Sequence, residues 1–499
     1  MWTPASGSGM AAEGSYGLIV GGIEAPATGG ETSELLDPAT NRPLARVALG
    51  TPDDAARAME VAQRAFDSSD WAGGDGARRG RALARLAQLL EQQQEEFAVL
   101  ESRNMGKTVR EARVDIGYVV RTLEYVAGLA DKVEGTTVPV PGSRFNYTVR
   151  EPLGVTVHIA PWNYPLLLAL RSVAPALAAG NAAVLKPASL TPLTAIRLGR
   201  LAKAAGVPDG ILNVVSGPGG RLGEALVRDR RCRSVSFTGS GEVGRRIAGL
   251  AAERLVPVTL ELGGKSPVVV LPDADLDWAA RGIALGIFGN AGQMCWAGSR
   301  LIVHDAVRAP LLDRVRSLAE ALRLGPGTED GVEMGPLVSR EQEAKVLEYV
   351  DAARHDGGTV VTGGAKADEP RLAQGNFVRP TVLADLSPGA RTAREEIFGP
   401  VLSTFSFTDL DEGIRLANDT PFGLFAAVWT RDLAQAHQVA RRLEAGMVVV
   451  NEPPLTFPQT PFGGFKESGL GSEQGAHVVA SYTRVKNVLV NVALPKKKG

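Results

Sequence analysis

Between residues 153 and 260 the chain repeats one unit: a short apolar run, a turn, then a stretch with helical spacing. The runs GVTVHIA, NAAVLKP, ILNVVSG and SVSFTGSG come about 25 residues apart, and helices such as TPLTAIRLGRLAKAAG follow them. Apolar strands separated by helices indicate a parallel, doubly wound α/β sheet, because a parallel neighbour requires a crossover connection. Ligands of such a sheet collect at the carboxyl ends of its strands.

A second alternation follows. SPVVVLP, RLIVHD, a helix over 308–323, TVVTGG, EEIFGPVLSTFSF, FGLFAAVWT and GMVVVNE predict a second α/β domain. Two large domains and something smaller suit 499 residues at roughly 150 residues per domain. Residues 16–47 read as short strands, and residues 51–133 as amphipathic helices. At Gly135 the pattern changes: GTTVPVPGSRFNYTVREPLGV alternates β-branched and aromatic residues with polar ones, as an exposed hairpin or edge strand does. The closing SYTRVKNVLVNVAL is a β-rich tail suited to join that arm.

Composition excludes several partners. A net charge of −1 creates no long-range field, so neither nucleic acid nor an acidic surface is expected to bind. The one membrane-like stretch, PLLLALRSVAPALAAGNAAVL, is broken by Arg171, Pro175 and Gly180-Asn181, and predicts a buried helix and then a buried strand. The opening MWTPASGSGMAAEG has no basic start and no apolar run; it reads as disordered, neither signal nor anchor. The final KKKG reads as a solvated end. Two cysteines without paired spacing point away from disulfides and zinc and toward a reducing cytoplasm.

The chemistry centres on FGNAGQMCWAGSR, residues 288–300, where Cys295 lies between glycines that admit close approach. A thiol there can act as a nucleophile if its pKa is lowered and the resulting oxyanion is stabilised. Cys232, in DRRCRSVSF, reads instead as a small core residue. Gly239 to Gly244 form a literal G-x-G-x-x-G between a predicted strand and a predicted helix, the dinucleotide-binding fingerprint. Spacing alone would assign Glu261, 20 residues past Gly241, to the ribose. Its place at a strand end running into Gly263-Gly264 suits a base for a thiol or a water, or merely a solvated acid.

The motifs APWNYP (160–165), AVLKPASLTP (183–192), FTGSGEVG, LELGGKSP, GNAGQMCWAGSR, EEIFGPV (395–401) and PFGGFKESGLG (461–471) stand in order along the chain. In them the chain resembles the aldehyde dehydrogenase superfamily, from about Tyr16 to Leu494. The resemblance implies a Rossmann-like cofactor domain (1–133 and 152–261), a second α/β catalytic domain (262–478), and a small β oligomerisation arm (134–151 and 479–499). It implies a homodimer or homotetramer acting on a small aldehyde with NAD or NADP, and no metal.

It further implies that Cys295 attacks the aldehyde carbon, with the oxyanion held by the Asn163 amide and the Cys295 N–H. Glu261 would activate Cys295 or the hydrolytic water. Cofactor contacts would come from Ile159, Trp162, Lys186, Ser189, Gly219, Gly239, Ser240, Val243, Leu262, Glu396 and Phe398, and Glu473 matches a position sometimes proposed as a proton relay. One residue departs from many relatives: Ser189 stands three after Lys186, where a glutamate would repel a 2′-phosphate, so acceptance of NADP is expected.

Tyr164, Leu167, Leu168, Met294, Trp296, Phe457 and Phe462 match tunnel positions, and their apolar character favours a medium aliphatic or aromatic aldehyde. An amino-aldehyde held over aromatic rings is an alternative. No arginine stands where it would read as a partner for a substrate carboxylate. Acylating relatives, which pass the thioester to coenzyme A, generally lack the glutamate present here as Glu261, so hydrolysis is expected. The remaining alternative is a non-catalytic protein of the same fold.

Overall fold

The structure, a computed structural model, describes residues 14–493; the expected disordered start, Gly14 apart, and the KKKG end lie outside the described residues. The repeated βα units form the centre of an eight-stranded sheet. Its strands run in the order Gly469–Leu470, Val258–Glu261, Cys232–Thr238, Val155–Ile159, Ala182–Lys186, Leu212–Val214, Leu18–Val20 and Ile23–Ala25. The five central strands are parallel. The chain winds outward from Val155–Ile159 to one side and then returns to the other, so the order reverses between Val155–Ile159 and Cys232–Thr238. Such a reversal leaves a crevice at the strands' carboxyl ends.

Around this sheet pack the predicted helices Pro52–Ser68, Gly76–Gln92, Gln94–Met105 and Val109–Ala127. Two of them begin with reciprocal capping boxes, Thr51 with Asp54 and Thr108 with Glu111, which satisfy otherwise orphaned N–H groups. The apolar stretch at 165 becomes the buried helix Pro165–Ala178 and then the strand Ala182–Lys186. No helix among the described residues is long and apolar enough to cross a membrane.

The second alternation forms a seven-stranded sheet, with Pro267–Val270 between Arg300–His304 and Phe425–Trp429. All its pairings are parallel except that of the edge strand Thr359–Thr362. Arg144–Pro152 and Thr483–Asn491 pair antiparallel along their nine residues, as the alternating patterns of arm and tail foreshadow. One segment sits elsewhere than the sequence indicates. Gly469–Leu470, inside the stretch expected to belong wholly to the second domain, closes the first sheet against Val258–Glu261. An edge strand exposes a row of unpaired N–H and C=O groups, and this short antiparallel segment satisfies them.

Candidate active site

The first sheet delivers its contribution at the strand ends. Ile159, Lys186 and Glu261 each end a strand, and the pairing Ile159–Lys186, Phe237–Ile159 and Thr238–Glu261 sets these ends side by side. The second sheet begins from the same place. Glu261 is six residues before Pro267 and Cys295 five before Arg300, and Pro267 and Arg300 are partners in register. The loops carrying the carboxyl and the thiol therefore run together into adjacent strands.

Two glycines let these loops meet. A β-carbon on Gly264 would stand 2.4 Å from the Cys295 carbonyl oxygen, and one on Gly263 would stand 2.4 Å from Glu396 Oε2. The Gly264 N–H donates to Glu396 Oε1 at 3.0 Å. On the far side, Ser468 Oγ donates to the Gly263 carbonyl at 2.7 Å, fixing the link from behind.

The turn before Cys295 is strained. Asn290, Ala291 and Gly292 have φ of 49°, 51° and 71°, left-handed values that cost a non-glycine residue about 1–2 kcal/mol. Hydrogen bonds hold it: the Asn290 N–H donates to Glu111 Oε1 at 2.7 Å, and Gln293 Nε2 donates to the Asn290 carbonyl at 3.0 Å. Asn163, in the loop before helix Pro165–Ala178, joins this clamp. Its Nδ2 donates to the Gln293 carbonyl at 2.9 Å, and its own carbonyl accepts from Asn290 Nδ2 at 3.1 Å. An amide nitrogen carries two hydrogens, and the bond to Gln293 uses one of them.

Electrostatics distinguish the acid and the thiols. Glu261 is buried, and neither carboxyl oxygen has a hydrogen-bond partner among the described residues. Burial drives its pKa well above the usual carboxylate range; Arg171 opposes that shift and Glu473 adds to it. Cys295 keeps partial exposure, yet loss of solvent pushes its thiol up to about 12, with Arg171 acting in the opposite direction. Cys232 is fully buried in the first core, and burial raises it too.

The residues expected to contact the cofactor come from both sheets' elements. Ser240 caps helix Gly241–Ala252, its Oγ accepting from the Val243 N–H at 3.4 Å, beside Gly239. Val243 is exposed, while Leu262 is buried against Gly244. Lys186 is buried, which lowers its pKa to about 8, and its Nζ donates to the Pro187 carbonyl at 3.1 Å. Gly219 opens a π-helical turn with free space around it, and a β-carbon on Gly223 in the same turn would face Ile159 and Lys186. Ser189 Oγ donates to the Gly217 carbonyl at 2.8 Å. From the other domain, Phe398 (φ 62°) sets its ring edge-on to Trp162, centroids 5.1 Å apart, and burial raises the Glu396 carboxyl to about 7. Capped helix terminus, buried lysine and open glycine turn together fit a dinucleotide with its phosphates at the helix N-terminus.

A cavity of about 640 Å³ reaches the Cys295 loop. Of the expected tunnel residues it takes Tyr164, Met294 and Trp296, and Phe288 joins them. Phe462 packs against Trp296, centroids 5.6 Å apart. Leu167 packs against the first domain's core, Leu168 is buried and Phe457 is exposed; none of the three lines the cavity. The wall is also more charged than apolar tunnel positions indicate, for Lys107, Arg110, Glu111, Asp115, Arg281 and Glu333 reach it.

Sequence reasoning missed Arg171. Along the chain Arg171 reads only as a charge breaking an apolar stretch, yet it is 4% exposed, ion-paired with Glu473, and acts on both Glu261 and Cys295. The signal was present as a charge interrupting an otherwise apolar helix. Asn290, Gln293 and Glu111 were missed as well, because their roles are contacts between remote segments. Among the described residues no group of His, Cys, Asp and Glu gathers to hold a metal.

The chain is similar to known proteins over nearly its whole length. The family model described as "Aldehyde dehydrogenase family" matches residues 25–488. A hydroxyisobutyraldehyde dehydrogenase of Mycolicibacterium austroafricanum is 42% identical over 475 residues, 95% of this chain and 94% of its own. A betaine aldehyde dehydrogenase of Bacillus subtilis is 40% identical over 479 residues, covering 96% and 98%. The NAD+ complex of an aldehyde dehydrogenase from Bacillus cereus superposes with a TM-score of 0.94 at 41% identity, covering 96% of this chain and 97% of that one. A strand-end glutamate and a loop cysteine joined across two sheets, with matches this extensive, place the chain: it belongs to the aldehyde dehydrogenase family.

Proposed function

We propose that this aldehyde dehydrogenase converts its substrate to the free carboxylic acid through a thioester on Cys295, with Glu261 as the base. The observation carrying this reading is the Glu261 carboxyl, buried without a partner among the described residues, at the end of the strand whose following loop touches the Cys295 backbone at Gly264. A buried, raised carboxyl is the kind of base that exchanges protons near neutral pH. Cys295 adds to the aldehyde carbon; the other N–H of Asn163 and the Cys295 backbone N–H hold the oxyanion. Bound NAD or NADP would supply the hydride acceptor that turns the adduct into the thioester. Ile159, Trp162, Lys186, Ser189, Gly219, Gly239, Ser240, Val243, Leu262, Glu396 and Phe398 would hold the dinucleotide, and Glu261 then draws a proton from the water that releases the acid.

The cavity favours a medium aliphatic or aromatic aldehyde over a cationic one. Asp115 and Glu111 face it, but Lys107 Nζ lies 2.5 Å from Asp115 Oδ2 and Glu111 caps the helix beginning at Val109. Glu333, the third carboxylate on the wall, lies 3.7 Å from Arg323 Nε. All three carboxylates are thus committed, leaving the betaine-like reading with the aromatic rings alone. The arm pair exposes Phe145, Val485 and Leu489, apolar surface suited to a homodimer or homotetramer. We place the enzyme in the cytoplasm.

An aldehyde panel assayed with NAD and with NADP, read as absorbance of the reduced nicotinamide, tests the reading. Turnover of aliphatic and aromatic aldehydes to free acid is expected, lost in Cys295→Ala. A product found as an acyl thioester of coenzyme A, or an alanine variant as active as its parent, overturns it.

A further inference from the structure

A buried cation, Arg171, acts on both groups to which the proposed reaction gives negative charge. Arg171 lies on helix Pro165–Ala178, all but enclosed, in a helix whose other residues are overwhelmingly apolar. An ionised guanidinium in such a place requires a fixed partner and a reason to be there. The partner is Glu473, equally buried, which pairs with Arg171 Nε and accepts from Ser236 Oγ at 2.8 Å. Below the guanidinium lies the Phe462 ring, 4.5 Å from its carbon, and Phe462 in turn packs on Trp296, next to Cys295. Nη2 is buried without a partner among the described residues.

We infer that Arg171, clamped by Glu473, is a positioning residue that supplies the fixed positive charge for the Cys295 sulfur and the Glu261 carboxylate in turn. The inference rests on the proposed roles of Cys295 and Glu261. When the thiol is activated, the S–H bond breaks and an O–H bond forms on Glu261, so a single negative charge moves from carboxylate to sulfur. A cation serving both positions keeps that charge balanced throughout. Glu473, with one oxygen on Arg171 and the other on Ser236, acts here as the anchor of the cation.

The charges around this centre agree. Arg171 pairs directly with Glu473 and feels the charges of Glu261 and Cys295, while the phenols of Tyr118, on helix Val109–Ala127, and Tyr482 feel Arg171 in turn. Arg171, Glu396 and Glu261 act on the Cys295 thiol, and Cys295 acts on the Tyr164 phenol. Burial is the largest influence on the thiol and raises its pKa; Arg171 is the foremost influence lowering it, whereas Glu396 and Glu261 raise it.

The test is the pH dependence of iodoacetamide alkylation of Cys295 in the full-length enzyme, with the site assigned by mass spectrometry. Arg171→Met strands Glu473 in the core, so the double variant Arg171→Met with Glu473→Gln, which leaves no unpaired buried charge at the clamp, is measured beside it. The alkylation midpoint is expected to rise by about one pH unit or more in both, roughly tenfold slower labelling below the midpoint. Arg171→Lys should bring it back toward the parent, and Glu473→Gln alone should not raise it. A purely structural arginine would lower thermal stability and leave the midpoint in place, and that result in the double variant overturns the inference. Failure of the unaltered enzyme to label at Cys295 would instead overturn the nucleophile assignment, and this inference with it.

Discussion

Gly264 faces the carbonyl oxygen of Cys295 so closely that a β-carbon would stand 2.4 Å from it. The contact ties the loop leaving Glu261 to the loop carrying the thiol, and both lead into neighbouring strands of the second sheet. Gly264→Ala must therefore push the nucleophile out of register with the base. We expect kcat to fall about 10²-fold, the usual cost of an ångström-scale displacement of a reacting group, while cofactor affinity measured by fluorescence changes little. Activity near the parent's would mean that the two loops are independent.

Asn163 donates one N–H to the Gln293 carbonyl, and the proposed reaction assigns the other to the oxyanion. Asn163→Ala removes both, and kcat should drop about 10²–10³-fold. If the loss is instead confined to KM, the amide only shapes the turn before Cys295.

Burial raises the Glu261 carboxyl well above its ordinary value of 4.5. A protonated acid cannot accept a proton, so its work as a base is absent below the raised pKa and appears as pH rises through it. The ascending limb of kcat should therefore lie well above the ordinary carboxylate range. Glu261→Gln should leave a burst of one reduced cofactor per site followed by slow turnover, because hydrolysis stalls. An ascending limb in the ordinary carboxylate range would contradict this assignment.

Ser189 donates its Oγ to the Gly217 carbonyl at 2.8 Å at the rim of the crevice and carries no charge. Ser189→Glu sets a carboxylate against a 2′-phosphate, and the KM for NADP should rise about tenfold or more, about 1.4 kcal/mol. The KM for NAD should hold or fall. Strict rejection of NADP by the unaltered enzyme in steady-state assays would sink the expectation that the serine admits it.

Much of this was legible along the chain because it is local. The βα period, the capping boxes at Thr51 and Thr108, and the buried strand after Pro165–Ala178 follow from side-chain spacing within one element. Cys295 between glycines and Glu261 before Gly263-Gly264 also announce themselves, since a backbone that must approach another closely has no room for a β-carbon. The charged wall of the cavity was not legible, because Lys107 reaches it from the turn between two helices and Asp115 and Arg281 from separate helices, a meeting of remote segments.

The sequence by itself determined which segments become strands and helices, where the thiol and the strand-end acid stand, and to which family their motifs belong. Only the tertiary structure decided that Arg171 meets Glu473 across 302 residues, that Asn163 is already half engaged by Gln293, and that Gly469–Leu470 closes the first sheet. Periodicity and propensity act between residues a few positions apart. A buried charge pair, by contrast, owes its existence to which distant surfaces the folded layers press together, and no local spacing records that.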